Sequence, residues 1–215
     1  MPTRIICIRH CETTANTKRR FQGQINSAVS ENGYKQLAAL TERLKDVHID
    51  AIYSSPLERA METARFINKH HGLPVTEERD LMELKGGVWE GEQIDSMEEK
   101  YPEDFAHWNH SPSEFCPSGS EGMRSVYDRM SRCAVRIADE NRGKTVVIVS
   151  HGCAIRNLVC WAKGYSIERL NDINWCGNTG ITVIDFDENL LPEILIEGDK
   201  THLSDDETKE LVHIL

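Results

Sequence analysis

Two short apolar runs in this chain each end in a histidine, "RIICIRH" at 4–10 and "TVVIVSH" at 145–151. Runs this rich in Ile and Val are strands buried on both faces, which confines them to the interior of a mostly parallel sheet covered by helices. Further β-branched runs at 51–54, 181–186 and 193–197, with a weaker one at 75–77, alternate with stretches of helical period and predict an α/β fold. Tyr34, Leu37, Leu40 and Leu44 share a helical face after Ser30, and Met123, Val126, Met130, Ala134 and Ile137 share another after Gly119, ending near Gly143. In "YSSPLERAMETA" (53–64), Ser55, Pro56 and Glu58 read as the capping box of a further helix, with Arg59 in its first turn.

Residues 86–119, rich in Pro, Ser, Glu and aromatics, read as a helical excursion inserted over the sheet within one domain of 1–215, serving as a lid or pocket wall. The tail 204–215 reads as a short helix, with Ser204 and Glu207 as its capping box and an apolar end that docks on the body or on a second copy, which leaves a homodimer open. The seven cysteines are odd in number and form no CxxC pair, which argues for reduced thiols in a cytoplasmic protein rather than a disulfide framework or a zinc knuckle. No basic apolar leader and no membrane-length apolar stretch is expected to act on the chain. With 25 basic against 35 acidic residues the net charge is −10, so neither nucleic acid nor a membrane surface is an expected partner. Any anion must be captured by a local pocket.

That pocket has an address. In open α/β sheets ligands gather beyond the carboxyl ends of the strands, so His10, Arg59 and His151 should converge although they are far apart in sequence. Histidines, arginines and helix N-termini facing one crevice make a phosphate site. Lys18, Arg19 and Arg20 fall near its rim and hint at a second anionic group, while His70, His71, His107 and His110 lack a third metal ligand and read as ordinary surface histidines.

The residues resemble a known family, the histidine phosphatase superfamily, also called phosphoglycerate mutase-like. Its strand-end motif "RHGE" is similar to Arg9, His10, Cys11 and Glu12. The likeness continues through Asn16, "FQGQ" (21–24), "SENG" (30–33), "SSPLERAMETA" (54–64), "LMELKGGVWEG" (81–91), "SGSEGM" (118–123) and "SHGCAIR" (150–156). It implies a three-layer α/β/α fold with a mostly parallel six-stranded sheet containing one antiparallel strand. It further implies that His10 is the nucleophile and becomes a phosphohistidine, that Arg9, Arg59 and His151 bind the phosphoryl oxygens with help from Asn16, and that Glu83 is the general acid. Glu83 must be protonated to start such a cycle, which burial or a nearby dianionic phosphate would favour. Gln22, Gly23, Gly152 and Cys153 would border the substrate. No metal and no cofactor is implied, since arginines and a helix dipole stabilise the transferring group.

Two departures stand out. Cys11 and Cys153 occupy positions where the family usually has glycine, so strained backbone and thiolates bordering the phosphate pocket are expected there. The stretch "ERDLMELKGGVWEGE" lacks the "ERHYG"-like residues of the family's mutases and looks like the phosphatase branch. The expected activity is metal-independent hydrolysis of a small phosphomonoester. The alternatives are a cofactor-dependent phosphoglycerate mutase and a non-catalytic phosphate-binding protein.

Overall fold

The protein is described here by a computed structural model that covers residues 1–204. The helix expected over 204–215 lies beyond those residues, apart from Ser204 itself. Six strands, β1 (Thr3–Arg9), β2 (Ala51–Ser54), β3 (Val75–Glu77), β4 (Thr145–Ser150), β5 (Ile181–Phe186) and β6 (Pro192–Asp199), form one sheet in the order β3-β2-β4-β1-β5-β6. β1, β2, β3 and β4 pair in parallel, and β5 runs against both of its neighbours. The single reversed strand matches the expected topology.

Side chains alternate across the central strands with the strand period of two. On one face Ile6 and Ile8 of β1 and Val147 and Val149 of β4 pack with Leu40 and Leu44 of helix α2 (Glu31–Leu44) and Ala60, Ala64 and Ile67 of α3 (Glu58–Ile67). On the other, Ile5, Cys7, Val146 and Ile148 pack with Val126, Met130 and Ile137 of α6 (Met123–Glu140) and Ile155 and Leu158 of α7 (Gly152–Ala162). Burying each such aliphatic side chain stabilises the fold by about 1.5–3 kcal/mol. The sheet is therefore the middle of three layers, and its two core strands can carry no polar residue until they end.

Two local expectations are corrected. Tyr34 does not join the buried face of α2 but stays 48% exposed, tilted against Phe66 at 6.1 Å. Gly33 is buried in its stead, because the start of α2 lies against the turn after β1, where a Cβ would fall 2.2 Å from the Glu12 carbonyl oxygen. The Ser55 capping box does not form either. Helix α3 begins after Leu57 with no side-chain cap, and the Ser55 hydroxyl accepts only from the Leu57 N–H while its other contact goes to His151.

Residues 86–119 form short helical pieces, including α4 (Met97–Lys100) and α5 (Pro102–His110), with their ends drawn together by a bridge between Gly86 and Ser120. The segment contributes Trp89, Trp108 and Phe115, whose rings meet edge to face at 4.8 Å for both tryptophans, and these join the core beneath α6 and α7. The short helix α1 (Thr14–Thr17), capped by Thr13, completes the rim between β1 and α2.

Candidate active site

Arg9 and Ser150 are register partners, so β1 and β4 end level and deliver His10 and His151 side by side. Their ring centroids are 5.1 Å apart, and the His10 N–H donates to the Ser150 carbonyl at 2.9 Å. His10 Nδ1 lies 2.6 Å from the Cys11 carbonyl oxygen. A carbonyl only accepts, so Nδ1 carries the proton and the lone pair is left on Nε2. Burial, with Arg59 and Arg9 close by, holds the His10 pKa well below the ordinary histidine value, so the ring is neutral at neutral pH. His151 is held neutral by burial, Arg59 and His10 in the same way. Its Nε2 meets Ser55 Oγ at 2.7 Å, and its buried Nδ1 has no partner.

Arg59, only 1% exposed, enters from the first turn of α3 and donates to the carbonyls of Gly23 at 2.7 Å and Ile25 at 2.9 Å. Burial lowers its pKa to about 10, with Glu83 opposing the shift, so it remains a cation. Arg9 donates from Nη1 to the Cys176 carbonyl, and the buried Nε atoms of both arginines have no partner. Gly152 opens α7 beside them: a Cβ there would lie 3.2 Å from Arg9 Nε, so the bare backbone gives the guanidinium its place. Orphaned buried donors around a neutral imidazole are what an anion would satisfy.

Glu83 approaches from the segment tied to the end of β4 by the Ser150 hydroxyl, which donates to the Leu81 carbonyl. Its carboxyl accepts from the backbone N–H groups of Leu84, Cys153 and Ala154, which fixes it on the N-terminus of α7. Asn16 Oδ1 and Gln22 Oε1 both lie 2.9 Å from the Thr13 hydroxyl, which pins the two amides at the rim. Gly23, at φ +52, bends the rim loop, and a Cβ there would strike the Glu90 carboxyl. Glu90 Oε1 in turn accepts from the N–H groups of Gln24 and Gly86.

These groups enclose a cavity of about 290 Å³. Arg9, His10, Asn16, Gln22, Gly23, Arg59, Glu83, Gly152 and Cys153 all line it, while His151 stands behind His10 rather than on the wall. Lys18, His70, His71, His107 and His110 do not line it. Arg19 and Arg20 do, but Arg19 is bonded to Asp95 at 2.7 Å and Arg20 to the Gly91 carbonyl, which ties the basic run to the excursion. Several contributors escaped the sequence reading, among them the lining residues Ile94, Cys176, Gly177 and Lys200. Ser55 was read as a helix cap. Glu90 sits within a recognised motif but carried no signal of its own, and Trp175 and Asn178 lie in a segment of no regular period.

Of the expectations for the two cysteines, that Cys153 borders the cavity holds, while the placement of Cys11, the thiolate character and the strained backbone do not. Cys11 does not line the cavity, and burial pushes its thiol pKa up to about 11. Cys153 does line it, yet burial and the nearby Glu83 push its thiol well up as well. Neither has left-handed backbone, which among the described non-glycine residues belongs to Arg19, Thr179 and Leu190. Both positions therefore accept a side chain without strain.

The chain is similar to known proteins over most of its length. Over 185 residues, 86% of this chain and 87% of the relative, the sequence is 34% identical to phosphoserine phosphatase 1 of Hydrogenobacter thermophilus. It is 38% identical over 157 residues, 72% of this chain and 66% of the relative, to a metal-independent phosphoserine phosphatase of Arabidopsis thaliana. The solved structure of Bacillus stearothermophilus YhfR superposes with a TM-score of 0.88 at 31% identity, covering 93% of this chain and 98% of that one. Residues 5–194 match the family model of the histidine phosphatase superfamily, branch 1, and the chain belongs to that superfamily.

Proposed function

We propose that this protein hydrolyses small phosphomonoesters without a metal, through a covalent phosphohistidine on His10. The observation that carries the reading is the His10 ring, held neutral with its proton on Nδ1 and its Nε2 lone pair available beside the unpartnered Nε donors of Arg9 and Arg59. Attack of Nε2 on phosphorus forms the N–P bond as the ester P–O bond breaks, and the departing alkoxide takes a proton from Glu83. Glu83, now a carboxylate held by three backbone N–H groups, takes a proton from water as the water oxygen attacks the phosphohistidine. The N–P bond breaks, phosphate leaves and the His10 imidazole is restored. Arg9, Arg59 and Asn16, which line the cavity, hold the charge on the equatorial oxygens, with the neutral His151 ring packed beside His10. The relative named as a metal-independent phosphatase supports the absence of a metal requirement.

No helix among the described residues is long and apolar enough to cross a membrane, and the seven cysteines are free, which supports a reducing, cytoplasmic setting. The test is acid-sensitive labelling. Mixing with a phosphorus-labelled ester and quenching in base should trap label on the parent protein, stable to base and lost in acid, and none on His10→Ala. Activity that survives His10→Ala, or that EDTA abolishes, refutes the reading.

A further inference from the structure

The cavity wall away from the two histidines has no part in holding phosphate, and its composition is of another kind. Trp175 and Trp108 stack there with ring centroids 5.9 Å apart and planes inclined by 22°, next to Phe21 and Ile94. Trp108 is almost fully buried and braced edge to face by Phe21 and Phe115. Trp175 is 39% exposed. The Arg156 guanidinium lies 4.6 Å from its ring centroid and is itself bonded to the Ile173 carbonyl and Asn171. A large apolar ring is thus held rigidly while still presenting surface to the cavity, which costs it little further order when it meets a ligand.

The wall also adjoins the phosphate donors. The position a Cβ would take on Gly152 is 3.2 Å from Arg9 Nε and 3.6 Å from Trp175 Cε3, so one backbone position separates the guanidinium from the indole. A group joined to phosphorus through a few bonds reaches the tryptophans directly. At the same rim Arg19 is ion-paired with Asp95 and Arg20 donates to the Gly91 carbonyl, while Lys200 also lines the cavity.

We propose that Trp175 and Trp108 form a leaving-group subsite, and that the preferred substrates are phosphomonoesters whose alcohol carries a flat apolar ring within a few bonds of the phosphate, not compact charged esters such as phosphoserine. The proposal rests on the phosphomonoesterase reading above. Its test keeps leaving-group chemistry constant: 2-phenylethyl phosphate and propyl phosphate both release primary alkyl alcohols and differ in the ring.

The parent should favour the phenylethyl ester in kcat/KM by about tenfold, the order one aromatic contact supplies, and should prefer it to phosphoserine. Trp175→Ala should bring the ratio of the two alkyl esters close to one, and Trp175→Phe should keep most of it. Equal kcat/KM for the two esters in the parent, faster turnover of phosphoserine, or an unchanged ratio in Trp175→Ala overturns the subsite. Calorimetric binding of both esters to His10→Ala gives the same ratio without turnover. Tenfold tighter binding of the phenylethyl ester with no hydrolysis by the parent would leave the subsite standing and sink the phosphatase reading. Equal binding would sink the subsite alone.

Discussion

Burying two neutral histidines beneath two arginines makes this fold sensitive to mild acid. In the unfolded chain a histidine titrates near 6.5. In the folded protein burial together with Arg59 holds both His10 and His151 well below that, with Arg9 adding to the effect on His10 and His10 itself on His151. As pH falls through 6.5 the unfolded chain therefore binds protons that the folded chain refuses, and stability is lost from that point downward. One such histidine loses roughly 1 kcal/mol of stability between pH 7.5 and 5.5, and the pair about 2–3 kcal/mol. Unfolding at pH 5.5 then takes up nearly two protons. The carboxylates held low in the folded state, among them Asp50, Glu78 and Asp199, lose their contribution only at more acidic pH, below this window. His71, which burial also lowers, stays in every variant and cancels. Urea unfolding at pH 7.5, 6.5 and 5.5 of the parent, His10→Gln and His151→Gln reads the slopes. Each variant should lose about 1 kcal/mol less than the parent over this range. Parallel pH profiles for all three proteins would refute the claim that these rings are neutral in the folded state.

Glu83→Gln should slow hydrolysis of alkyl phosphates far more than that of p-nitrophenyl phosphate, whose leaving group needs no proton; equal losses on both, measured as kcat/KM, would remove Glu83 from the acid role. Gly33→Ala should destabilise the protein by about 3 kcal/mol in denaturant titration, because its Cβ would fall 2.2 Å from the Glu12 carbonyl oxygen and 2.8 Å from Val29 Cγ1; a change within experimental error would show that α2 shifts freely. Peroxide or diamide should inactivate the enzyme slowly at neutral pH, since the Cys11 and Cys153 thiols stay protonated, and rapid loss of activity that Cys11→Gly with Cys153→Gly prevents would contradict their burial.

The strands were legible because most are short runs rich in β-branched residues: the runs at 51–54, 145–150 and 181–186, and the weaker Val-Thr-Glu at 75–77, coincide with β2, β4, β5 and β3. The convergence of His10, Arg59 and His151 followed from where parallel strands end, which is a property of topology and needs no side-chain detail. Ser55 was misread because a serine before proline and three residues ahead of glutamate is a good local cap, and nothing local announces a histidine bond from a residue 96 positions away. The state of Cys11 was misread for a related reason. Proximity in sequence to an arginine and a histidine suggests a field that favours thiolate, but burial, with Glu62 and Glu12 nearby, raises the thiol despite the hydrogen bond with Thr63, and burial is set by tertiary packing. Trp175 sits in a segment without periodicity, so only the tertiary structure shows which cavity it reaches.

The reversal of β5 has a consequence for how such a site can diversify. Because β5 runs against β1, its beginning lies at the edge where β1 and β4 end, and the chain leading into it delivers Trp175, Cys176 and Asn178 to the cavity. Asn178 and Thr179 clip this approach to the end of β1 through the His10 and Arg9 carbonyls. Residues 173–177, just before that clip, belong to no strand or helix and carry neither histidine. Changes of side chain over 173–175 can therefore remake the alcohol-facing wall while the strand ends that hold the imidazoles, and the Cys176 carbonyl that anchors Arg9, stay in place. A fold with every strand parallel would offer only loops leaving the catalytic edge, and exchanging one of those would disturb the residue that begins it.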